Sequence, residues 1–283
     1  MAGPSHPTPR VTVCIPTYRG ASHIRNTIDS VLAQTFHDFE LVIIDNASPD
    51  DTFAIASSYR DPRVRCLRNA ENLGAEGNWN RCLAEATGEY IKLLPDDDVL
   101  ARECLQQQVE VFDHDAGQEL AMVFCARVII DGRGHPRMER RTFGRQRRRL
   151  ARDEIFRQCL RRGTNVIGEP GGVMFRRDLA RRVGGFDATY GYVVDLDYWL
   201  RLLAHGDGCY LPDLLVSFRV APGAWSVAVG NTQAAEFIGL MTHLVNERRS
   251  FRASALDLAM ARAVALGNNV ARRLLYRFVF RGA

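Results

Sequence analysis

Apolar and polar positions alternate along the first hundred residues with two different periods. Four short apolar runs, rich in β-branched residues, are typical of buried strands. These runs are Val11–Pro16, Glu40–Ile44, Val64–Arg68 and Tyr90–Leu94. Apolar residues recur at helical spacing in the segments that follow them, which are Ser22–Gln34, Asp51–Tyr59, Ala75–Ala86 and Ala101–Phe112. The alternation predicts an α/β fold with a mostly parallel central sheet and helices on both faces.

The second half of the chain is less regular. Its predicted strands are Leu120–Ile130, Gly168–Phe175 and Cys209–Val220, and its predicted helices are Asp195–His205 and two helices after Thr232, of which the last is Ala253–Phe280. We therefore expect one α/β domain over residues 1–229. Residues 230–283 are expected to form a helical extension that packs on the domain or in a dimer contact.

Composition and charge narrow the class of protein. Of 283 residues, 46% are apolar and 25% charged, with a net charge of +4, which excludes a disordered or coiled-coil chain. The longest uncharged run, Val220–Ala235, is too short and too polar to span a bilayer, and Met1–Arg10 lacks the apolar stretch of a secretory signal. We therefore expect a cytoplasmic protein. Seven cysteines without a CxxC pair argue against a zinc site and a disulfide framework.

Four polar segments follow the four predicted strands of the first half. They are Pro16–Gly20, Asp45–Asp50, Asn69–Gly77 and Pro95–Asp98. Ligands of open α/β sheets bind beyond the carboxyl ends of the strands, so these segments are the candidate site loops. Tyr18 offers a ring for stacking on a base, and Asp45 is a carboxylate that can accept an N–H group of a base. An Asx-turn is the alternative for the Asp45 segment.

Three successive carboxylates, Asp96, Asp97 and Asp98, follow the fourth predicted strand. Adjacent like charges repel unless a cation or solvent relieves them, and hard oxygen ligands suit Mg²⁺ or Mn²⁺. The alternative is a solvated acidic turn that caps the next helix. Farther along the chain, Asp195 and Asp197 stand at a predicted helix start, where the helix dipole favours acids.

The ordered set of motifs resembles the family 2 glycosyltransferases of the GT-A fold, over roughly Val11 to Ser226. The motifs are PTY, LVIIDNASPDDT, NAENLGAEGNWN, GEYIKLLPDDD, GGVMFRR, VGGFD and VDLDYWLRL. The resemblance implies a Rossmann-like nucleotide-diphospho-sugar transferase fold. It also implies transfer of a sugar from a nucleotide-diphosphate donor (a UDP- or dTDP-sugar) to an acceptor hydroxyl, with inversion and with Mg²⁺ or Mn²⁺, in polysaccharide or glycoconjugate biosynthesis.

The resemblance also assigns residues. Those implied for donor and nucleotide binding are Pro16, Thr17, Tyr18, Asp45, Asn72, Gly74, Asn78, Asp96 and Asp97. The metal would be held within Asp96, Asp97 and Asp98 in one of two frames: Asp96 and Asp98 form the DxD pair, or Pro95 replaces its first acid and Asp97 is the ligand. Asp195 matches the general base. Apart from the resemblance, we expect Glu169, Gly171 and Trp199 near the acceptor, with a plain turn as the alternative for residues 168–172.

Three departures from the family pattern define the alternatives. Ala221 stands where an R-x-H histidine is common, Val194 replaces the first acid before the base, and the QxxRW motif of processive synthases is absent. The last departure favours addition of a single sugar. The alternatives are a nucleotide-sugar-binding protein without catalysis, and a sugar-nucleotide pyrophosphorylase, whose basic glycine-rich loop is missing after Val11–Pro16. A dinucleotide-dependent dehydrogenase is excluded because no GxGxxG follows that strand.

Two basic segments bear on partners. Residues 133–162 hold twelve arginines and few aromatics, which predicts a solvated loop over the site, or a lid or acceptor-binding segment, and no nucleic-acid partner. Residues 262–281 are basic and apolar, so we expect them to pack on the domain, on a second subunit of a homodimer, or peripherally on the inner face of a membrane. The expected acceptor is a glycan, a lipid-linked sugar or a small molecule.

Overall fold

A computed structural model describes residues 8–220 and 232–279, with the side chains of the last stretch described as far as residue 271. Its ten strands form one sheet, whose main path runs β3-β2-β1-β4-β9-β6-β10-β5. β7 pairs with β6, and β8 pairs with β10. The predicted α/β fold class is confirmed.

The first four strands are parallel and lie close to their predicted bounds. They are β1 (Val11–Thr17), β2 (Phe39–Asp45), β3 (Val64–Arg68) and β4 (Tyr90–Leu93). The helices between and after them are α1 (Ile24–Leu32), α2 (Thr52–Ser57), α3 (Gly74–Glu85) and α4 (Cys104–Asp113). β1 is buried along its whole length, as a strand covered on both faces should be. His23 is the N-cap residue of α1, and its side chain makes no capping hydrogen bond.

The second half joins the first through an antiparallel strand. Its strands are β5 (Val99–Leu100), β6 (Leu120–Ile130), β7 (Pro136–Arg140), β8 (Arg148–Leu150), β9 (Val173–Arg176) and β10 (Asp207–Arg219). β9 lies between β4 and β6 and runs antiparallel to both, while β10 runs parallel to β6. Three helices belong to this half: α5 (Arg152–Arg162), α6 (Arg177–Val183) and α7 (Val194–Leu203).

The arginine-rich segment is an ordered part of the fold, which corrects the predicted solvated loop. It contains β7, β8 and α5, and several of its arginines are paired with acids. Arg137 pairs with Asp131 (2.5 Å), and Arg149 pairs with Glu119 (2.5 Å) and Asp207 (3.2 Å). Acids outside residues 133–162 thus neutralise arginine charges for which this segment has too few acids of its own.

One buried lysine lies under the site. Lys92 is the only lysine of the chain and is fully buried on β4. Its ammonium donates to the Gln108 side-chain oxygen (2.9 Å), and the Gln108 amide donates to the Gly172 carbonyl (2.9 Å). The hydrogen bonds link β4, α4 and the turn before β9, which satisfies a charge that burial would otherwise penalise. All seven cysteines are free thiols.

The C-terminal helices share the core of the α/β domain. They are α8 (Gln233–Thr242), which continues into a π-helical turn (His243–Glu247), and α9 (Ala255–Val279). Phe251 stacks on Phe156 of α5, with ring centroids 4.4 Å apart. The boundary expected at 229/230 falls outside the described residues. None of the helices in the described ranges is long and apolar enough to cross a membrane.

Candidate functional site

The carboxyl ends of β1 and β2 lie side by side. Thr17 pairs with Asp45 in the strand register, and the Asn46 N–H donates to the Thr17 carbonyl (2.8 Å). Pro16 is buried within β1, while Tyr18 is 42% exposed with the Arg19 guanidinium 5.3 Å from its ring centre. Of the predicted PTY motif, Tyr18 therefore presents an accessible ring.

Asp45 is fully buried, and its carboxylate already has partners. It accepts the Ser48 N–H (3.3 and 3.2 Å to its two oxygens) and lies 3.1 Å from Nε of Arg68. The carboxylate thus bonds the local backbone three residues on, one residue beyond the span of an Asx-turn. The pairing of this carboxylate with a nucleobase stays a prediction. A bound base would have to share the Asp45 carboxylate with Arg68.

Asparagines connect the loops that follow β2 and β3. The Asn46 amide donates to the Asn72 side chain (2.8 Å) and to the Gly74 carbonyl (3.0 Å), and its oxygen accepts from Asn69 (2.7 Å). Asn69 also donates to Asn78, which is buried and donates to the Ile44 carbonyl (3.1 Å). Asn78 therefore ties α3 to β2, whereas Asn72 and Gly74 lie at the exposed start of α3.

Asn46 and Asn69 are at the centre of this network, although neither residue was expected to have a role from the sequence. A signal was available, because each follows directly the last residue of a parallel strand. An amide there can donate and accept at once, so it can join two adjacent loops.

The three carboxylates after β4 have unequal surroundings. The Thr17 hydroxyl donates to Asp96, and a methyl group added at Gly20 would overlap the Asp96 carboxylate. Asp97 is partly exposed. Asp98 is fully buried, and its Oδ2 is among the buried side-chain oxygens that have no hydrogen-bond partner within the described part of the chain.

Arg219, at the end of β10, holds this acidic turn. Its N–H donates to Asp98 (3.0 Å), its Nε to the Asp97 carbonyl (2.9 Å), and its Nη1 to the carbonyls of Asp131 (3.0 Å) and Gly132 (3.2 Å). No role was expected for Arg219 from the sequence. Ala221, two residues later, lies outside the described residues.

Burial raises the pKa of all three carboxyl groups. The pKa of Asp96 reaches about 7 because burial outweighs the Thr17 hydrogen bond, and the charge of Asp97 adds to the rise. The pKa of Asp98 is raised by burial and by Asp97. Burial also raises the pKa of Asp97, and its effect is larger than the opposite effect of the nearby Arg219 charge.

The acidic turn fits a divalent cation. No group of three or more His, Cys, Asp or Glu side chains suited to a metal gathers in the ranges that the structure describes. Mg²⁺, however, is commonly bound by one or two carboxylates together with phosphate oxygens of a substrate. The unpartnered Oδ2 of Asp98 and the crowded charge of this turn are what such an ion would satisfy.

A second group of side chains surrounds Asp195 at the start of α7. Its carboxylate accepts the Asn165 amide (3.0 Å) and the Leu196 N–H (2.7 Å). Glu169 lies nearby in an ion pair with Arg127. Burial raises the pKa of Asp195 to about 7, and the Glu169 charge contributes, while Asn165 and Arg127 act in the opposite direction. Asp195 is therefore able to exchange a proton near neutral pH.

Trp199 and Asp197 have structural positions in α7. Trp199 is fully buried, which corrects its expected place at the acceptor, and its indole N–H donates to the Gly168 carbonyl (3.2 Å). Asp197 is buried in an ion pair with Arg201 (2.8 Å). Of the two acids at this helix start, Asp195 is a partly exposed residue and Asp197 is buried.

Residues 165–172 connect the two groups of acids. Asn165 donates to Asp195 and to the Gly168 carbonyl (3.1 Å) at one end of this loop. At the other end, a methyl group added at Gly171 would lie 3.2 Å from Oδ2 of Asp98. The charge of Glu169 raises the pKa of both Asp98 and Asp195. Gly171 thus borders the acidic turn, and Glu169 lies between the acidic turn and Asp195.

Curated relatives share long stretches of this sequence. An uncharacterized protein of Mycobacterium tuberculosis (strain CDC 1551 / Oshkosh), MT1568, is 35% identical over 215 residues, which are 72% of this chain and 65% of that protein. The chain thus spans slightly less than two thirds of the length of this relative and of two others that it matches. WfaP of Escherichia coli is 33% identical over 103 residues, 36% of this chain and 41% of WfaP. Its name is UDP-Glc:alpha-D-GlcNAc-diphosphoundecaprenol beta-1,3-glucosyltransferase.

The fold also matches a solved glycosyltransferase, and a family model covers most of the α/β domain. The mannosyltransferase PcManGT of Pyrobaculum calidifontis, solved with GDP-Man and Mn²⁺, superimposes with a TM-score of 0.64 at 21% identity, over 99% of this chain and 77% of PcManGT. The model for Glycosyl transferase family 2 matches residues 12–184. Together with the ordered motifs along the sheet, this match shows that the chain belongs to glycosyl transferase family 2.

Proposed function

We propose that this protein transfers a single sugar from a UDP- or dTDP-sugar to an acceptor hydroxyl, with inversion at the anomeric carbon. The observation that carries the proposal is the partly exposed Asp195, whose pKa is raised to about 7 and which one loop connects to the acidic turn. A general base works best when its pKa is near the working pH.

The donor would bind at the carboxyl ends of β1, β2 and β4. Tyr18 offers a stacking surface, Asn72 and Gly74 border the cleft, and Thr17 orients Asp96. Asp45 would accept an N–H group of the base. The sugar donors proposed here carry uracil or thymine, and the N3–H group of these bases can donate a hydrogen bond to the carboxylate. WfaP is named for UDP-Glc and PcManGT was solved with GDP-Man, so the base needs a direct test.

Mg²⁺ or Mn²⁺ would be held by the acidic turn, through Asp96 and Asp98 in one frame or through Asp97 in the other. When bound, a divalent ion neutralises the charge that the leaving diphosphate gains. Arg219 holds the turn in place, because its guanidinium donates hydrogen bonds to backbone carbonyls of the turn and of residues 131 and 132.

The chemistry on the acceptor side calls for one base. Asp195 would take the proton of the acceptor hydroxyl as that oxygen attacks the anomeric carbon. Retention through a covalent intermediate needs a second free carboxylate as nucleophile, as in retaining glycosidases. Glu169 is held by Arg127, and Asp197 by Arg201. This pairing favours direct inversion.

A thermal-shift series tests the donor class first. UDP, dTDP, GDP and CMP are each added with and without Mn²⁺, to the wild type and to Asp96→Ala, Asp97→Ala and Asp98→Ala. We expect stabilisation by UDP or dTDP that depends on Mn²⁺. Loss of the Mn²⁺ effect in Asp97→Ala but not in Asp96→Ala selects the second frame. No stabilisation by any nucleotide contradicts the proposal.

Asp195→Asn tests the base. The variant should still bind the diphosphate, but release it from the donor in the presence of acceptor at least about 10²-fold more slowly. The matched control is Asp213→Asn, the same change at an exposed carboxylate of β10. An unchanged rate refutes the role of Asp195. Donor binding without turnover by the wild type, with every acceptor class tried, supports the alternative of a binding protein without catalysis.

A further inference from the structure

Helix α9 carries an apolar face that no described element of the chain covers. Five large apolar residues on it are 38% to 70% exposed, and we call them the apolar arc: Leu256, Met260, Val264, Leu266 and Val270. At 3.6 residues per turn the arc spans about 160° of the helix circumference. Every position within it between 256 and 271 is Ala, Gly, Leu, Met or Val.

The opposite face of α9 is the one that packs on the domain. Ala261 and Ala265 are buried there, and the Asn268 amide donates to the Arg162 carbonyl (2.6 Å) at the end of α5. A methyl group added at Gly163 would lie 2.6 Å from the backbone nitrogen of Ala265. Small side chains thus seat the helix closely, and the larger apolar side chains face solvent.

The charge of this region is strongly one-sided. Residues 248–283 contain eight arginines and one acid, Asp257, whereas the other 247 residues contain 29 basic and 32 acidic residues. Asp257 is bonded to Ser254 in a capping box at the start of α9. Arg262 on α9 is exposed, and so are Arg161 and Arg162 at the end of α5, which contacts α9 through Asn268.

We propose that the apolar arc and its arginines bind an anionic lipid surface, with α9 lying in the plane of the interface. A helix with a broad apolar face and a basic border is the type that inserts at this depth, and anionic headgroups supply the matching charge. A second copy of the chain is disfavoured as the occupant, because a two-fold contact would bring two such basic segments together.

The location of α9 links this surface to the acceptor side of the site. Gly163, which contacts α9, is two residues from Asn165, and Asn165 donates to Asp195. A lipid-linked acceptor would therefore be presented near the base, a point that rests on the proposed function. Binding to lipid itself needs neither donor nor acceptor, so its failure and the failure of the proposed function are distinguishable.

The test is co-sedimentation of the full chain with phosphatidylglycerol-containing vesicles and with neutral phosphatidylcholine vesicles, at low and high salt. We expect binding to the anionic vesicles only, weakened by salt. Met260→Glu should lower the partition coefficient at least about tenfold. The matched control is Asn269→Glu, which adds the same charge on the same helix outside the arc and should have a clearly smaller effect.

Equal loss in the two variants, or equal binding to neutral vesicles, overturns the proposal. So does a wild type that binds no vesicle but is a dimer in sedimentation velocity and becomes a monomer in Met260→Glu. Because Met260 is 58% exposed, the melting temperature and the diphosphate-induced shift of this variant should match those of the wild type. That match shows that a loss of vesicle binding is not unfolding.

Discussion

The two sides of the candidate site are built in different ways. The donor side lies on the ends of adjacent parallel strands, and Asn46 and Asn69 connect its loops from within. The acceptor side lies on residues 165–172 and the start of α7, where one amide, that of Asn165, joins the loop to Asp195. Strand register therefore fixes the donor side, while a few side-chain hydrogen bonds fix the acceptor side.

This difference indicates where the site tolerates change. A substitution on the donor side should cost stability, because it breaks hydrogen bonds that the sheet depends on. A substitution on the acceptor side should alter rate or pH dependence while the fold survives. Three substitutions test this division.

Arg219→Met should lower the free energy of unfolding by about 3 kcal/mol, because three carbonyls, one of them buried and two partly buried, lose a charged donor. The Mn²⁺-dependent shift with a diphosphate should vanish as well, since the acidic turn loses its support. Urea denaturation measures the first effect. Arg102→Met, at an exposed arginine, is the control and should change little. An unchanged midpoint for Arg219→Met would mean that the turn holds itself.

Glu169→Gln should shift the acidic limb of the kcat/KM profile to lower pH. Asp195 must be ionised to act as base, so activity rises as pH increases through its pKa, which is about 7. The Glu169 charge contributes to that raised pKa, and its removal also frees Arg127, which favours the carboxylate. Glu103→Gln, at an exposed acid, should leave the profile unchanged. A shift to higher pH would contradict the interaction.

Trp199→Phe should have the smallest effect on the free energy of unfolding, about 2 kcal/mol, because it removes the hydrogen bond to Gly168 and part of a fully buried ring. The loop that carries Glu169 then loses one support, so kcat should fall modestly while KM for the acceptor stays the same. Steady-state kinetics with varied acceptor separates the two parameters. A raised KM for the acceptor with unchanged kcat would indicate that Trp199 contributes to acceptor binding.

The same division explains what the sequence could predict. The strands of the first half carry local apolar patterns, so their bounds were predicted to within about two residues, and the rule for parallel sheets brought Thr17 and Asp45 together. The family itself was recognisable from motifs that lie at these strand ends. Local signals were sufficient on the donor side.

Contacts between distant residues were not predictable in this way. Arg219 and Asp98 are 121 positions apart, and no local pattern connects a strand end to a turn at that distance. The burial of Trp199 was not predictable for another reason. Helix α7 is buried at eight of its ten positions, so its sequence does not distinguish a buried face from an exposed one. The pairing of the arginine-rich segment depends on Glu119 and Asp207, which belong to other elements.

The buried Lys92 makes the protein unusual in its covalent chemistry. Amine-directed reagents, acetylation and ubiquitin transfer all act on lysine side chains, and here the single one is enclosed under the sheet and bonded to Gln108. Its modification requires that β4 and α4 separate, an event close to global unfolding. The rate of amine labelling followed at Lys92 itself, apart from labelling of the α-amino group, would therefore report the opening of the core, with no engineered probe in the chain.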